Sequence, residues 1–346
     1  MSRILLICIL VIGMSTLLPA GPLERYVAVD DVCAWPNLTL LKDGTLTATI
    51  FNQPHHGLGE GDVESWVSTD GGRKWELGGV VAPHEDGSNR MNVAAGAAHD
   101  GSVVVLASGW GGAGFRERIL PSLVCRSSDG GRTWEQSPGV TLPDGVQNLI
   151  PFGDIVQAPG NVLVAPGYSW RLPNIPRGST AYVLFSLDDG RTWTENAVIA
   201  EDDFNETALI RLKSGRWLAA IRTRGDGHLE LFSSDDEARS WTPGGTLTPP
   251  RHHPAHLVQL YDGRVILTYG IREASRKGVG YRVSSDDGRT WGPPDQLVHL
   301  EGTGDGGYPA TVQLADEMLV TAYYSDGIGE HRRYHMGVVR WLPPGK

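Results

Sequence analysis

Histidines, tyrosines and carboxylates gather at a few comparable places along this 346-residue chain. Two segments concentrate imidazoles: NQPHHG at 52–57, which contains His55, and RHHPAH at 251–256, which contains His253. Imidazoles so grouped can orient hydroxyls, carry protons or bind a metal. The sequence has no CxxC and no HExxH, the commonest zinc signatures, so contact with an organic ligand is the favoured reading and no metal or cofactor is expected. Other short stretches set aromatic residues beside polar or acidic ones: Trp35-Pro36-Asn37, Arg90-Met91-Asn92, Phe152-Gly153-Asp154, Asn205-Glu206-Thr207 and Tyr308-Pro309. A structural repeat alone does not require such residues at equivalent positions, and their concentration points to a functional site.

Two repeating units must position these clusters. The first reads Ser-x-Asp-x-Gly-x-Thr-Trp and occurs as STDGGRKW at 68–75, SSDGGRTW at 127–134, SLDDGRTW at 186–193 and SSDDGRTW at 284–291. A degraded copy, SSDDEARSW, covers 233–241, read with Glu237-Ala238 replacing the glycine and adding a residue. The second unit is an apolar strand, a tight turn and another apolar strand. It recurs at 41–50, 98–107, 157–166, 212–221, 260–269 and 314–323, and YHMGVVRWLP at 334–343 follows as a last strand without a box. Six units of roughly 50 residues, each with room for four short strands, predict an all-β chain folded as a six-bladed β-propeller. RYVAVDDV at 25–32 is the expected closing strand of the last blade. The box has a structural explanation, since its Asp can accept hydrogen bonds from its own turn and its Gly permits positive φ. GWGGAG at 109–114 looks like a nucleotide loop, but no helix follows it within this β repeat, and a flexible loop is expected.

Composition agrees with strands and turns: 45 Gly, 22 Pro and 11 Trp, with 40% hydrophobic residues. The net charge of −10 excludes a general nucleic-acid binder, while a few local arginines could still hold an anionic ligand. The opening MSRILLICILVIGMSTLLPAG has one Arg, an apolar run and small residues near Ala20, so residues 1–20 read as a secretory signal and 21–346 as a single domain. The mature protein is then expected to be secreted or periplasmic, free of the membrane, and a monomer. Cys33 and Cys125 would remain, either as a disulfide or as two buried thiols. The sequons NLT at 37–39 and NET at 205–207 fall on inner strands and read as chance.

In a propeller the innermost strand of each blade lines the channel, and the five aromatic and polar stretches above, with RHHPAH as the sixth, stand where those strands begin, at one mouth, to which the NQPHHG loop adds its histidines. With its boxes, the mature chain resembles the sialidase (neuraminidase) superfamily over essentially its whole length. That resemblance implies a catalytic acid/base Asp six positions before the first box serine, which is Asp62, with Glu60 and Glu64 as neighbours. It implies a nucleophilic Tyr opening the last inner strand, Tyr308 in GGYPATVQL, served by a Glu on an earlier inner strand, Glu206. A neutral phenol is not repelled by an anionic carboxyl on a keto-sugar's anomeric carbon, as a carboxylate nucleophile would be. The resemblance further implies three arginines clamping that carboxyl. Arg222 matches the second; Arg276 matches the third by its distance to the box, with Arg272 as the alternative. The first is missing, because Ala34-Trp35-Pro36 stands where the family has Arg-Ile-Pro; Arg90 could supply the charge. Trp35, Asn37, His55 and His253 would complete the sugar contacts.

The implied activity is a metal-independent, retaining exo-glycosidase of the sialidase type acting on a glycan with an acidic terminal sugar. Two alternatives keep the propeller. One changes the substrate or reaction to another acidic sugar, such as a uronic or keto-deoxy acid, including elimination. The other is a binding propeller without catalysis.

Overall fold

The computed structural model describes residues 23–170, 178–301, 305–343 and 345. The expected signal segment, with Cys8, lies outside them. Apart from one 3-10 turn at Ala113–Phe115, the regular elements are strands. Local chemistry sets the turns. At 98–102, for example, Asp100 Oδ1 accepts the Ser102 N–H at 2.9 Å and Gly101 has φ 90°, which reverses the chain into the apolar strand Val103–Ser108.

Six antiparallel sheets follow in chain order, each four strands deep at its core. Their inner strands are Cys33–Leu40 (blade 1), Asn92–Ala97 (blade 2), Ile150–Pro151 with Val156–Ala158 (blade 3), Phe204–Arg211 (blade 4), His252–Gln259 (blade 5) and Gly306–Gln313 (blade 6). The expected closing strand is present: Glu24–Asp30 pairs with His335–Trp341 as the outer strand of blade 6. Blade 3 departs from regularity. Gly153-Asp154 leaves its own sheet and pairs in parallel with Ala94-Ala95 of blade 2. Gly153 has φ 104°, and a Cβ there would stand 2.4 Å from the Thr207 carbonyl oxygen of blade 4, so only glycine allows this approach.

Among the described residues the core has one cluster between each pair of adjacent blades, and a further, largely aromatic one that includes Phe51, Trp110, Phe152 and Tyr308. Val63 and Val81 of blade 1 meet Val93 and Val105 of blade 2. Val104 and Leu106 meet Leu163 and Leu184 of blade 3. Val164 and Phe185 meet Leu209 and Trp217 of blade 4. Leu218 and Leu231 meet Val265 and Leu267 of blade 5. Ile266 and Val279 meet Leu319 and Val339 of blade 6. Val320 and Val338 return to Leu38 and Ile50 of blade 1. The ring is therefore closed by burial as well as by the outer strand.

The boxes tie the third strand of a blade to its fourth. In the second box, Ser127 Oγ donates to Asp129 Oδ1 at 2.8 Å and accepts the Gly131 N–H at 2.8 Å, while Asp129 Oδ1 also takes the N–H groups of Arg132 and Thr133. The degraded copy needs correction. Its box serine is Ser234, whose Oγ donates to Asp236 and accepts the Ala238 N–H. No residue is added; Ala238 simply occupies the glycine position at φ 65°. A second correction concerns GWGGAG. It opens a small hairpin, Trp110–Gly111 against Arg118–Ile119, with Trp110 buried, rather than a free loop. Cys33 and Cys125 are buried free thiols. Burial pushes both up in pKa, Cys125 to about 12. Asn37 and Asn205 of the two sequons are buried.

Candidate functional site

The inner strands of blades 1, 4, 5 and 6 share one local feature. Each slips register at its mouth end: between Cys33 and Asn37, Phe204 and Thr207, His252 and Ala255, and Gly307 and Ala310. Extra residues bulge from the ladder there, and a bulge re-aims side chains. The residues so displaced are Ala34-Trp35-Pro36, Asn205-Glu206, His253-Pro254 and Tyr308-Pro309. Ala34 and Tyr308 adopt φ 54° and 51°, a conformation costly for a bulky residue. Strain of this kind persists where the surrounding structure holds it.

The bulges bring Tyr308 and Glu206 together across the channel. Tyr308 Oη donates to Glu206 Oε1 at 2.6 Å, and Arg222 Nη1 donates to Glu206 Oε2 at 2.8 Å. Tyr308 is 5% exposed and Glu206 6%. Burial and the Glu206 charge raise the phenol's pKa well above its ordinary value. Burial also favours a neutral Glu206, but the Arg222 charge and the two hydrogen bonds outweigh it and lower its pKa. The resting pair is a neutral phenol on a carboxylate. His253, which faces Glu206, Arg222 and Arg272, is held neutral by burial and by Arg222, with its pKa lowered to about 3.

Trp35 stacks on Tyr308 at 4.8 Å between ring centroids and 25° between planes. Phe152 meets the same tyrosine edge-on at 5.9 Å, and His56 meets Trp35 edge-on at 5.2 Å. Arg272 lies with its guanidinium 5.1 Å from the Tyr308 ring centroid and donates to Asp305 Oδ1 at 2.9 Å. Asp305 Oδ2 accepts Tyr324 Oη at 2.5 Å and lies 2.8 Å from His56 Nδ1. Burial alone would raise the Asp305 carboxyl; His56, Arg272 and Tyr324 hold it well below the usual carboxylate range.

Several expected residues stand elsewhere. Of the two candidates for the third arginine, the cluster contains Arg272; Arg276 sits on the exposed turn, its N–H on the Glu273 carbonyl. Arg222 lies within the second strand of blade 4, opposite its bulge, whereas Arg272 directly follows the second strand of blade 5, two positions past the equivalent place, which Gly270 holds. Arg90 does not replace the missing first arginine. It is buried and donates to Pro121 O at 2.6 Å, Ala107 O at 3.3 Å and Glu85 at 2.9 Å. His55 braces its own loop through the Leu58 N–H, leaving its neighbour His56 to meet Trp35. Asn37 points down the channel to Gly153 O at 2.9 Å and to Asp154 at 3.4 Å, and Asp154 pairs with His256 at 3.0 Å.

Asp62 closes the 52–62 loop at the mouth end of blade 1. Its Oδ1 accepts the backbone N–H of His84 at 2.7 Å and lies 2.6 Å from His84 Nδ1. Among the described contacts none joins Asp62 to Tyr308 or Glu206. Of its neighbours, Glu60 accepts the Gly87 N–H, and Glu64 accepts Trp66 Nε1 with its pKa raised by burial. His56, Asp305 and Tyr324 were not singled out from sequence. His56 shares the HH pair with His55 and was within reach; Asp305 and Tyr324 carry no motif, and their place depends on Arg272. Beside the site, Arg116 and Arg224 lie over Trp110 and Trp170 at 4.7 and 4.9 Å, with the two indoles edge-to-face at 5.7 Å.

Residues 44–321 match the family model described as BNR repeat-like domain. The chain is 25% identical over 308 residues to a sialidase of Micromonospora viridifaciens, covering 78% of this chain and 47% of that protein. It thus spans about half the length of that curated relative. Among solved structures, a protein of unknown function from Dyadobacter fermentans superposes with a TM-score of 0.79 at 21% identity, covering 94% of this chain and 100% of the other. The Hadza microbial sialidase Hz136 superposes with a TM-score of 0.70 at 19% identity, covering 89% and 65%. At such identities the structural likeness establishes the propeller.

Proposed function

The chain belongs to the BNR repeat-like family, with a sialidase-type six-bladed propeller, and on that footing we propose that it is a retaining exo-glycoside hydrolase with Tyr308 as its nucleophile. The observation that carries the reading is the 2.6 Å hydrogen bond from Tyr308 to Glu206, made by two bulged residues from different blades. Both are nine-tenths buried or more, and the tyrosine backbone is held at positive φ. Such an arrangement is unnecessary for closing a propeller.

In the first step the Tyr308 oxygen bonds to the anomeric carbon while the bond to the leaving oxygen breaks. Asp62 gives that oxygen a proton, and the phenolic proton passes to Glu206. In the second, the Asp62 carboxylate takes a proton from water, the water oxygen bonds to the anomeric carbon, and Tyr308 leaves and recovers its proton from Glu206. The two inversions give retention. The raised pKa of the phenol keeps it protonated at rest and makes it a nucleophile only as the new bond forms. The reading of Asp62 rests on its position before the first box; in the unliganded protein it is held by His84. Secretion of the mature chain, from the expected signal at 1–20, is part of the same proposal.

Two arginines, Arg222 and Arg272, stand at the mouth, and Ala34 holds the place on the first inner strand where the resemblance implies a third. Tyr308→Phe tests the catalytic reading. On whichever terminal glycoside the wild type cleaves, kcat/KM is expected to fall by a factor of about 10³ or more. An undiminished rate would contradict it.

A further inference from the structure

The two arginines nearest Tyr308 are already matched by anions of the chain. Arg222 lies on Glu206 and Arg272 on Asp305, two guanidinium groups against two carboxylates. His253 stands among them, buried, and its neutral ring adds no positive charge. Asp305 is held at both oxygens. Oδ1 takes Arg272 Nη1 at 2.9 Å and the Gly306 N–H at 3.0 Å. Oδ2 takes Tyr324 Oη at 2.5 Å and faces His56 Nδ1 at 2.8 Å. A carboxylate with four such neighbours is a fixed part of the site. On the first inner strand, Ala34 and Trp35 add an aromatic face and no charge. A carboxylate brought in on a sugar would find Arg272 already engaged through Nη1 and Asp305 beside it repelling.

We infer that the sugar taken at this site is a neutral terminal aldose, with Asp305 filling from within the place of a substrate carboxylate. The inference rests on the catalytic reading of Tyr308 and Glu206 given above and deepens it to a substrate class. Trp35, only partly buried beside Tyr308, offers an aromatic surface on which an uncharged pyranose ring packs. A neutral anomeric centre also removes the repulsion that an anionic sugar would feel from Glu206.

The test is a panel of fluorogenic 4-methylumbelliferyl glycosides: neutral α- and β-hexosides and deoxyhexosides, a glucuronide and an N-acetylneuraminide. At least one neutral glycoside is expected to exceed both acidic ones at least tenfold in kcat/KM. Asp305→Asn, which leaves Arg272 unmatched, is expected to shift that ratio at least tenfold toward the acidic substrates. A wild type that prefers the neuraminide or the glucuronide overturns the inference. Should Asp305→Asn fail to fold, the wild-type ratio decides alone. Should no glycoside turn over, calorimetric titration decides. Binding of neutral hexose glycals but not of the sialic-acid glycal supports the inference, and any other pattern, including no binding, overturns it. Tyr308→Phe on the preferred glycoside separates the two claims. Loss of activity upholds the nucleophile whichever sugar is cleaved; retained activity removes the nucleophile and leaves the sugar preference standing.

Discussion

A histidine buried in its neutral form destabilises the fold as the solution is acidified. His253 is 6% exposed, and its pKa is lowered from an ordinary 6.5 to about 3. Between those two values the unfolded chain binds a proton that the folded chain refuses, so stability falls as pH falls through that window, by up to roughly 1.4 kcal/mol per pH unit. Glu206, with its folded pKa lowered, acts in the same direction: its contribution is full above the ordinary glutamate value and is lost as pH falls through the folded value. Urea unfolding of the wild type and of His253→Gln at stepped pH should show a shallower acid decline in the variant. Identical declines would mean that His253 does not titrate as described. At the same scale, Tyr308 combines a strained backbone, a buried hydroxyl and a carboxylate partner.

The elements that carry these residues are short strands punctuated by boxes and bulges. The boxes hold outer strands by satisfying buried donors. Ser127, 2% exposed, both donates to Asp129 and accepts from Gly131. Ser127→Ala leaves that buried N–H without its partner and should cost about 1–3 kcal/mol in unfolding free energy; an unchanged denaturation midpoint would refute the role. These elements were legible in sequence because each rests on local chemistry repeated along the chain. Asp-Gly turns, alternating apolar runs and the Ser-x-Asp frame need no distant partner. The degraded box was misframed because two serines, Ser233 and Ser234, begin it; the choice between them depends on which hydroxyl reaches Asp236. Three of the four bulges carry an X-Pro step, at Trp35-Pro36, His253-Pro254 and Tyr308-Pro309, but such a step does not show how the backbone turns these residues inward. Arg276 was preferred over Arg272, and Arg90 offered as a substitute cation, because linear distance does not show where a long side chain ends. Asp305 was unreadable for the same reason, since its four neighbours come from His56, Arg272, Gly306 and Tyr324.

At the scale of the whole molecule, closure of the ring is what makes one site from residues of blades 1, 3, 4, 5 and 6. Each blade is buried only by its neighbours, and a fully buried aliphatic side chain contributes about 1.5–3 kcal/mol. Opening one seam therefore exposes a whole cluster. The outer strand Glu24–Asp30 guards the seam of blade 6 and brings Glu24 onto the buried Arg340. A chain beginning at Val32 is expected to melt at a lower temperature than one beginning at Leu23, and equal melting curves would show that the strand is dispensable. With the ring intact, the central claim is that Tyr308 forms a bond to sugar. Its most direct measurement is the mass of the protein after reaction with the 2-fluoro glycosyl fluoride of the sugar it cleaves. The account predicts a stoichiometric adduct that maps to Tyr308 and does not form in Tyr308→Phe. An adduct on a carboxylate, or turnover with inversion and no adduct, would contradict it.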